Sequence, residues 1–458
     1  MKLHSGILLG LIVLIAGSAV EAQYHEPVYI AGGYNAISTV NERGVFKIDA
    51  GAGSMATLFL PRYHTLGFKM DVDNRKIVFA TGYQFSSNTL YSGPHAGIYR
   101  FDPATQQFTT VRYDTMTFYR PYKLHVNQDG DYVVGSYTRN WTGSRTEYHY
   151  RVVKVDRAGT LTTLLTSAKL GRSAAFYSSI GTNIDTGHYL VCDHTSITSP
   201  STIRYPVLEL TDDGTVQSWS TGGRYGWYGY YSAPQDFRTG ELTGPYGTRI
   251  YRLTPGFDTR TTIGTLSLVS GTSLTQSRYD VQSAARPRWI AVGYRTSAPY
   301  QTYIYNIDAL TGLVTSVLVD PAHRSVFYDF AFYRGRHVQT VKVAPRRWEV
   351  RLSLPEHAGK LYTMALTLSG IRPGLSLPDG RTFFLNPDVF TILTLQNLIP
   401  GIFDPGPGRL DASGEARGVL DASTIPKLGY PFWIAVAVLD PKAPLGIAFL
   451  PDVRVVRI

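Results

Sequence analysis

One pattern recurs through the first two thirds of the chain and restricts the fold more than any other feature. It is a run of alternating apolar residues, a turn with Asp or Gly, then a strand rich in threonine or serine. The copies are GVFKIDAGAGSMATLF from Gly44, GIYRFDPATQQFTTV from Gly97, RVVKVDRAGTLTTLL from Arg151, PVLELTDDGTVQSWS from Pro206, RIYRLTPGFDTRTTI from Arg249 and YIYNIDALTGLVTSV from Tyr303. Period-two alternation on both sides of a Gly/Asp turn is the mark of a β-hairpin. The turn-entry residues Asp49, Asp102, Asp156, Thr211, Thr254 and Asp308 lie 53, 54, 55, 43 and 54 residues apart. Spacing this regular means one supersecondary unit stacked on copies of itself.

Two further strands precede each hairpin. KLHVNQDGDYVVGSY (123–137) reads as a strand, a tight Asn/Asp/Gly turn and a second strand. DVDNRKIVFATG (71–82), NIDTGHYLVCD (183–193) and DVQSAARPRWIAVGY (280–294) play the same part. Each unit therefore holds four strands, a to d, which is the size of a propeller blade. The first copy, VYIAGGYNAISTVNERGVFKID (28–49), starts at strand b, and SVFYDFAFYRGRH (325–337) supplies a spare strand a after the last copy. Residues 326–332 are thus expected to complete the first blade, which would leave no exposed sheet edge at the chain ends. The expected fold is all-β: a six-bladed β-propeller over residues 24–335, closed by a C-terminal strand. The repeat, with turns such as NQDGDYVV, resembles the NHL and TolB-like group of six-bladed propellers. That resemblance implies a fold and no activity.

From residue 341 the texture changes. WEVRLSLPE, YTMALTLSG, GRTFFL, RLDASGEARGVLD, FWIAVAVLD and DVRVVRI are strand-like runs separated by PGLSLPDG, DPGPG and DPKAPLG turns. DVFTILTLQNLIP (388–400) predicts one or two helical turns. Short strands at this density predict a β-sandwich over 341–458. The pattern LSGIRPGLSLPDGRTFFLNPD…LDASGEA…VLDPKAPLGI is similar to C-terminal domains of large secreted bacterial proteins of unassigned role, and it implies no chemistry.

The N-terminus reads as a signal peptide over 1–22. Lys2 precedes a short apolar run at 6–16, and Val20-Glu21-Ala22 before Gln23 fits small-x-small cleavage. No later segment is apolar enough to span a bilayer. The expected location is secreted, periplasmic or cell envelope. Cys192 is the only cysteine, so no internal disulfide supports an exported fold and a sizeable core must do so. Its setting, HYLVCDH, suits a small buried hydrophobe better than a nucleophile. The net charge is +10, which in an exported chain points to acidic glycans or other anionic surfaces rather than nucleic acid.

In a propeller the d→a and b→c connections open on one face. The b→c segments 83–96, 138–150 and 194–205 are long, and long loops on one face mark a functional side. Each d→a segment carries an arginine: Arg62, Arg120, Arg172, Arg224, Arg278 and Arg324, each with a tyrosine or phenylalanine within four residues. The segment TGGRYGWYGYYS (221–232) is the richest, adding Tyr225 and Trp227. These residues are expected to ring the mouth of the central channel as ligand-binding groups. Guanidinium forks match carboxylates and sulfates. The competing role for each arginine is to stack on a neighbouring tyrosine and brace two blades.

His64, His95, His149, His194 and His323 fall on the same face in this reading. His194 or His64 would be the catalytic candidates, as a base beside a uronate carboxylate. No HxH, HExxH, GxSxG or phosphate-loop spacing is present, so no metal site or cofactor is named. Asp129-Gly130-Asp131 and Asp212-Asp213-Gly214 resemble pieces of calcium loops, but turn chemistry accounts for them. Three functions remain open: a binding protein for an anionic ligand such as an acidic polysaccharide, a polysaccharide lyase or hydrolase on the same face, or a protein–protein interaction module. The C-terminal domain is expected to offer a surface to a protein partner.

Overall fold

The computed structural model describes residues 28–32, 44–49, 54–59, 69–73, 76–82, 96–114, 117–127, 129–141, 146–170, 177–193, 207–220, 235, 239–254, 261–280, 288–295, 301–309, 311–319, 327–332, 337–379, 381–404, 407–426, 431–451 and 453–457. The expected signal peptide lies outside these residues.

The repeated hairpins are present, each as part of an antiparallel sheet. The chain begins with β1 (Val28–Gly32), β2 (Gly44–Asp49) and β3 (Ser54–Phe59). A second sheet follows: β4 (Lys69–Asp73), β5 (Lys76–Thr81), β6 (Gly97–Asp102) and β7 (Gln107–Tyr113). The third holds β8 (Arg120–Val126), β9 (Tyr132–Trp141), β10 (Thr146–Val155) and β11 (Leu161–Thr166). The fourth holds β12 (Tyr177–Thr182), β13 (Tyr189–Asp193), β14 (Val207–Leu210) and β15 (Val216–Ser220). The fifth has β16 (Leu242–Tyr246), β17 (Arg249–Leu253) and β18 (Thr261–Thr265), with a bridge from Gln235 to Leu242 on its leading side. The sixth holds β19 (Thr272–Asp280), β20 (Arg288–Arg295), β21 (Thr302–Asp308) and β22 (Val314–Val319). β23 (Phe327–Phe332) then returns to pair with β1, Val28 opposite Phe332, giving the first sheet the order β23-β1-β2-β3.

Burial explains the composition of the strands. β5, β14 and β21 sit mid-sheet and are buried on nearly every residue, because both faces of the sheet are covered. The last strands β7 and β18 are largely exposed, and they are the threonine-rich ones. A β-branched hydroxyl side chain keeps strand geometry while tolerating water. Apolar clusters join the sheets in turn: Val45 with Met70 and Phe79, Ile98 with Leu124 and Val134, Val152 with Ile180 and Val191. They continue with Cys192 and Val207 against Leu242, Ile250 against Trp289 and Tyr305, and Ile290 and Ile304 back against Phe46. Cys192 is buried in this series, as a small hydrophobe would be. The leading strands lie side by side: β23 on β4, β4 on β8, β8 on β12, and β19 on β23.

Two features differ from expectation. The segment 138–150 is not a free loop: β9 and β10 continue pairing to Trp141 opposite Thr146, which places His149 in β10 opposite Thr138. The run of Thr, Tyr and His there favours cross-strand pairing. Arg278 does not lie in a connection entering the sixth sheet. The chain turns earlier, at Gly271 with φ +77, and β19 starts at Thr272. Arg278 stands opposite Ile290, near the far end of its strand.

The C-terminal part begins with β24 (Val338–Ala344) and β25 (Arg347–Ser353), then β26 (Leu361–Thr367), β27 (Leu375–Ser376) and β28 (Thr382–Phe383). A helix spans Val389–Leu395; Asp388 caps it, accepting from Thr391 N at 3.0 Å while Thr391 Oγ1 accepts from Asp388 N at 3.1 Å. Then come β29 (Phe403–Asp404), β30 (Gly408–Arg409), β31 (Glu415–Asp421), β32 (Pro431–Leu439), β33 (Ile447–Phe449) and β34 (Arg454–Arg457). They form sheets β24-β25-β31-β29 and β30-β26-β32-β33, with β34 also on β32. Trp348, Val350 and Leu420 of one sheet share a core with Met364, Phe432 and Val436 of the other.

Candidate functional site

The leading strands carry charge where their neighbours are apolar. β8, RPYKLHV, has Lys123 in its middle and β23, FYDFAF, has Asp329 in its middle. Both side chains are 2% exposed, and Lys123 Nζ lies 3.4 Å from Asp329 Oδ1. Asp329 also accepts from Met70 N of β4 at 3.4 Å. A charge so buried persists only when paired and hydrogen-bonded. One residue pair further along, Asp71 Oδ2 accepts from Val126 N at 2.8 Å and lies 3.7 Å from His125 Nδ1. His125 Nε2 is 2.8 Å from Thr182 Oγ1 on β12. Polar groups therefore tie β23, β4, β8 and β12 to one another along their inner edges.

The order carboxylate, imidazole, hydroxyl is that of a nucleophile with its base and orienter. The geometry is not. Asp71 to His125 exceeds hydrogen-bond length, and His125 and Thr182 are both buried. The set works as a brace between strands.

At the other end of β8, Arg120 is exposed. It stands at the end from which the β9–β10 hairpin projects, and it donates through Nη1 to the Tyr137 hydroxyl at 3.4 Å. That bond raises the guanidinium pKa further above its already high ordinary value. Around it Tyr137 packs on Tyr119, Tyr122 and Tyr150 with ring centroids 5.6, 5.9 and 5.5 Å apart. These are ordinary tilted and offset aromatic contacts. One Arg120 nitrogen thus reaches a tyrosine of its own sheet, not of a neighbouring one, and the side chain is exposed.

Of the other expected site residues, Arg62, Arg172, Arg224, Tyr225, Trp227 and Arg324 lie outside the described residues, as do His64, His95, His194 and His323. Arg278 belongs to the opposite end of its strand, since Thr272 pairs with Arg295 at the Arg120 side and Asp280 with Arg288 at the other. Among the described residues no cluster of three or more His, Cys, Asp or Glu side chains could hold a metal. Lys123, Asp329, His125 and Asp71 were missed. The clearest signal was Asp329, the one charge in the otherwise apolar strand FYDFAF; Lys123 shares β8 with Arg120 and His125.

The short turns opposite Arg120 are ordered by their own side chains. Asn127 Oδ1 accepts from Asp129 N and Asp131 N, both at 2.8 Å, and Gly130 takes φ +79. This is turn chemistry, as the sequence suggested. Glu209 Oε1 accepts from Asn183 Nδ2 at 3.1 Å and from Thr186 Oγ1, and lies 2.7 Å from His188 Nδ1. Burial pushes the Glu209 carboxyl up, but these hydrogen bonds outweigh it and hold the pKa below the ordinary value.

Asp131 behaves oppositely. Burial, with only partial relief from Lys154 and repulsion from Asp129, Asp156 and Asp212, pushes it from 3.8 up to about 6. The folded state then binds the proton more tightly than the unfolded chain, so stability falls as pH rises from about 4 to about 6. Asp131→Asn should therefore be more stable than the parent by about 1–3 kcal/mol at pH 7. The gain should vanish below pH 4. Urea denaturation at the two pH values measures it; an equal difference at both would sink the assignment.

No protein-family model matches the sequence, and no curated protein matches it. Solved structures do. TolB from Acinetobacter baumannii aligns over 68% of this chain and 66% of its own, at 10% identity and TM-score 0.39. Hydrazine synthase from Kuenenia stuttgartiensis aligns over 94% of this chain and 67% of its own, at 10% identity and TM-score 0.43. A protein of unknown function from Dyadobacter fermentans aligns over 71% and 93%, at 13% identity and TM-score 0.39. The chain is similar to these structures in being built of β-sheet, at an identity and a TM-score too low to carry function across.

Proposed function

We propose that this chain is a secreted or envelope binding protein whose ligand is anionic, an acidic polysaccharide. In this reading residues 1–22 are a signal peptide, 24–335 a six-bladed β-propeller closed by β23, and 341–458 a β-sandwich. The cyclic series of shared cores and the side-by-side leading strands support the propeller. The two sheets around one core support the sandwich. The ligand face is the Arg120 end, with Arg62, Arg172, Arg224, Tyr225, Trp227 and Arg324 as the further binding groups; Arg278 leaves the set.

The observation that carries the reading is Arg120: an exposed guanidinium on an innermost strand, surrounded by tyrosines, in a chain of net charge +10. A fork of donors recognises carboxylate or sulfate, and flat aromatic faces suit sugar rings. Affinity electrophoresis through gels of uronate-rich, sulfated and neutral polysaccharide tests it. One acidic polymer should retard the protein. Arg120→Ala should weaken that retardation about tenfold, the loss of one charge-assisted hydrogen bond. Equal retardation in neutral gels, or none in any, would overturn the reading.

A further inference from the structure

We infer that the C-terminal module is a built-in plug, seated on the axis-side turns opposite Arg120, so that it covers that end of the axis. The module reaches three consecutive sheets through four separate contacts. At the second sheet, Asp73 Oδ1 accepts from Gln339 Nε2 at 3.3 Å and from Arg157 Nη2 at 2.9 Å, while Arg157 also reaches Gln339 Oε1 at 3.3 Å. At the third, Asp129 Oδ1 accepts from Arg454 Nη2 at 2.8 Å and from Thr340 Oγ1 at 3.2 Å. At the fourth, Asp185 pairs with Arg372. Beside it the Trp433 indole N–H donates to Ile184 O at 3.2 Å, and Ile184 enters an apolar cluster with Ile371, Phe384 and Trp433.

These contacts are built on both sides. Gln339, Thr340 and Arg454 are buried polar groups of the module, and a polar group is stable there only against a fixed partner. On the other side, Glu209 gathers the turn at 183–188, and Gln235 holds Ile184 N at 2.7 Å and Asp185 Oδ2 at 3.3 Å. β23 ends at Phe332 and β24 begins at Val338, so the module has a short tether. Asp73 ends the leading strand β4, and Asp129 and Ile184 lie in the short turns after the leading strands β8 and β12, which puts the plug at the axis rather than at the rim. A long polymer then cannot thread the axis; it lies across the Arg120 end or enters by its tip. The inference stands whether or not that end binds a glycan.

Hydrogen exchange on the full-length protein tests the latch across the interface. Arg372→Asp should speed exchange of the Asn183, Ile184 and Gly187 amides at least tenfold. Asp185→Arg should do the same to the module's amides near Ile371 and Phe384. The swapped pair should restore both. Both side chains are partly exposed, so the variants are expected to fold. Unchanged exchange across the interface in the single variants, or a swapped pair no better than either, would overturn the plug. Calorimetry of the unaltered protein is the second measurement: a seated plug gives one cooperative transition, a loosely tethered module two well-separated ones.

Discussion

Lys123→Met lowers the free energy of unfolding by about 3–5 kcal/mol, the cost of removing one partner of a buried ion pair. Asp329 has no water to turn to, being 2% exposed. The Met70 backbone N–H also donates to it, at 3.4 Å. Asp329→Asn alone should cost a similar amount by removing the other partner of the pair. The double replacement removes both charges and keeps an acceptor for Met70 N, so it should be milder than either single change. Urea denaturation of the four proteins gives the coupling. Additive single effects would mean that the pair does not interact and that the 3.4 Å approach has no energetic content.

Trp433→Ala should cost about 3–5 kcal/mol as well, because a large aromatic is cut from a packed cluster and a cavity remains. The site adds a second loss: Ile184 O forfeits the indole donor. Trp433→Phe separates the two terms. It keeps much of the packing and loses only the hydrogen bond, about 1 kcal/mol. Thermal and chemical denaturation check both. If the alanine variant lost no more than the phenylalanine variant, the apolar contact with Ile184 would contribute nothing to stability.

The hairpins were readable because their instructions are local. Alternation sets the strand, a Gly or Asp in the turn sets its end, and both lie within fifteen residues of each other in GIYRFDPATQQFTTV. The same locality misled twice. Its place between strands b and c makes 138–150 an expected loop, yet Tyr148 and His149 pair across to Arg139 and Thr138. At 266–280 the turn at Gly271 was overlooked, and Arg278 was placed at the wrong end of its strand.

By itself, the sequence determined the repeated hairpins with their threonine-rich strands, the helix after Asp388 and the burial of Cys192. Each depends on neighbours close along the chain or on one side chain's dislike of water. Only the tertiary structure decided that Lys123 meets Asp329, that His125 sits between Asp71 and Thr182, and that Asp129 pairs with Arg454. Those partners lie hundreds or tens of residues apart. A buried charge announces that it needs a partner, but which one it gets depends on how the sheets stack, and no local pattern records that.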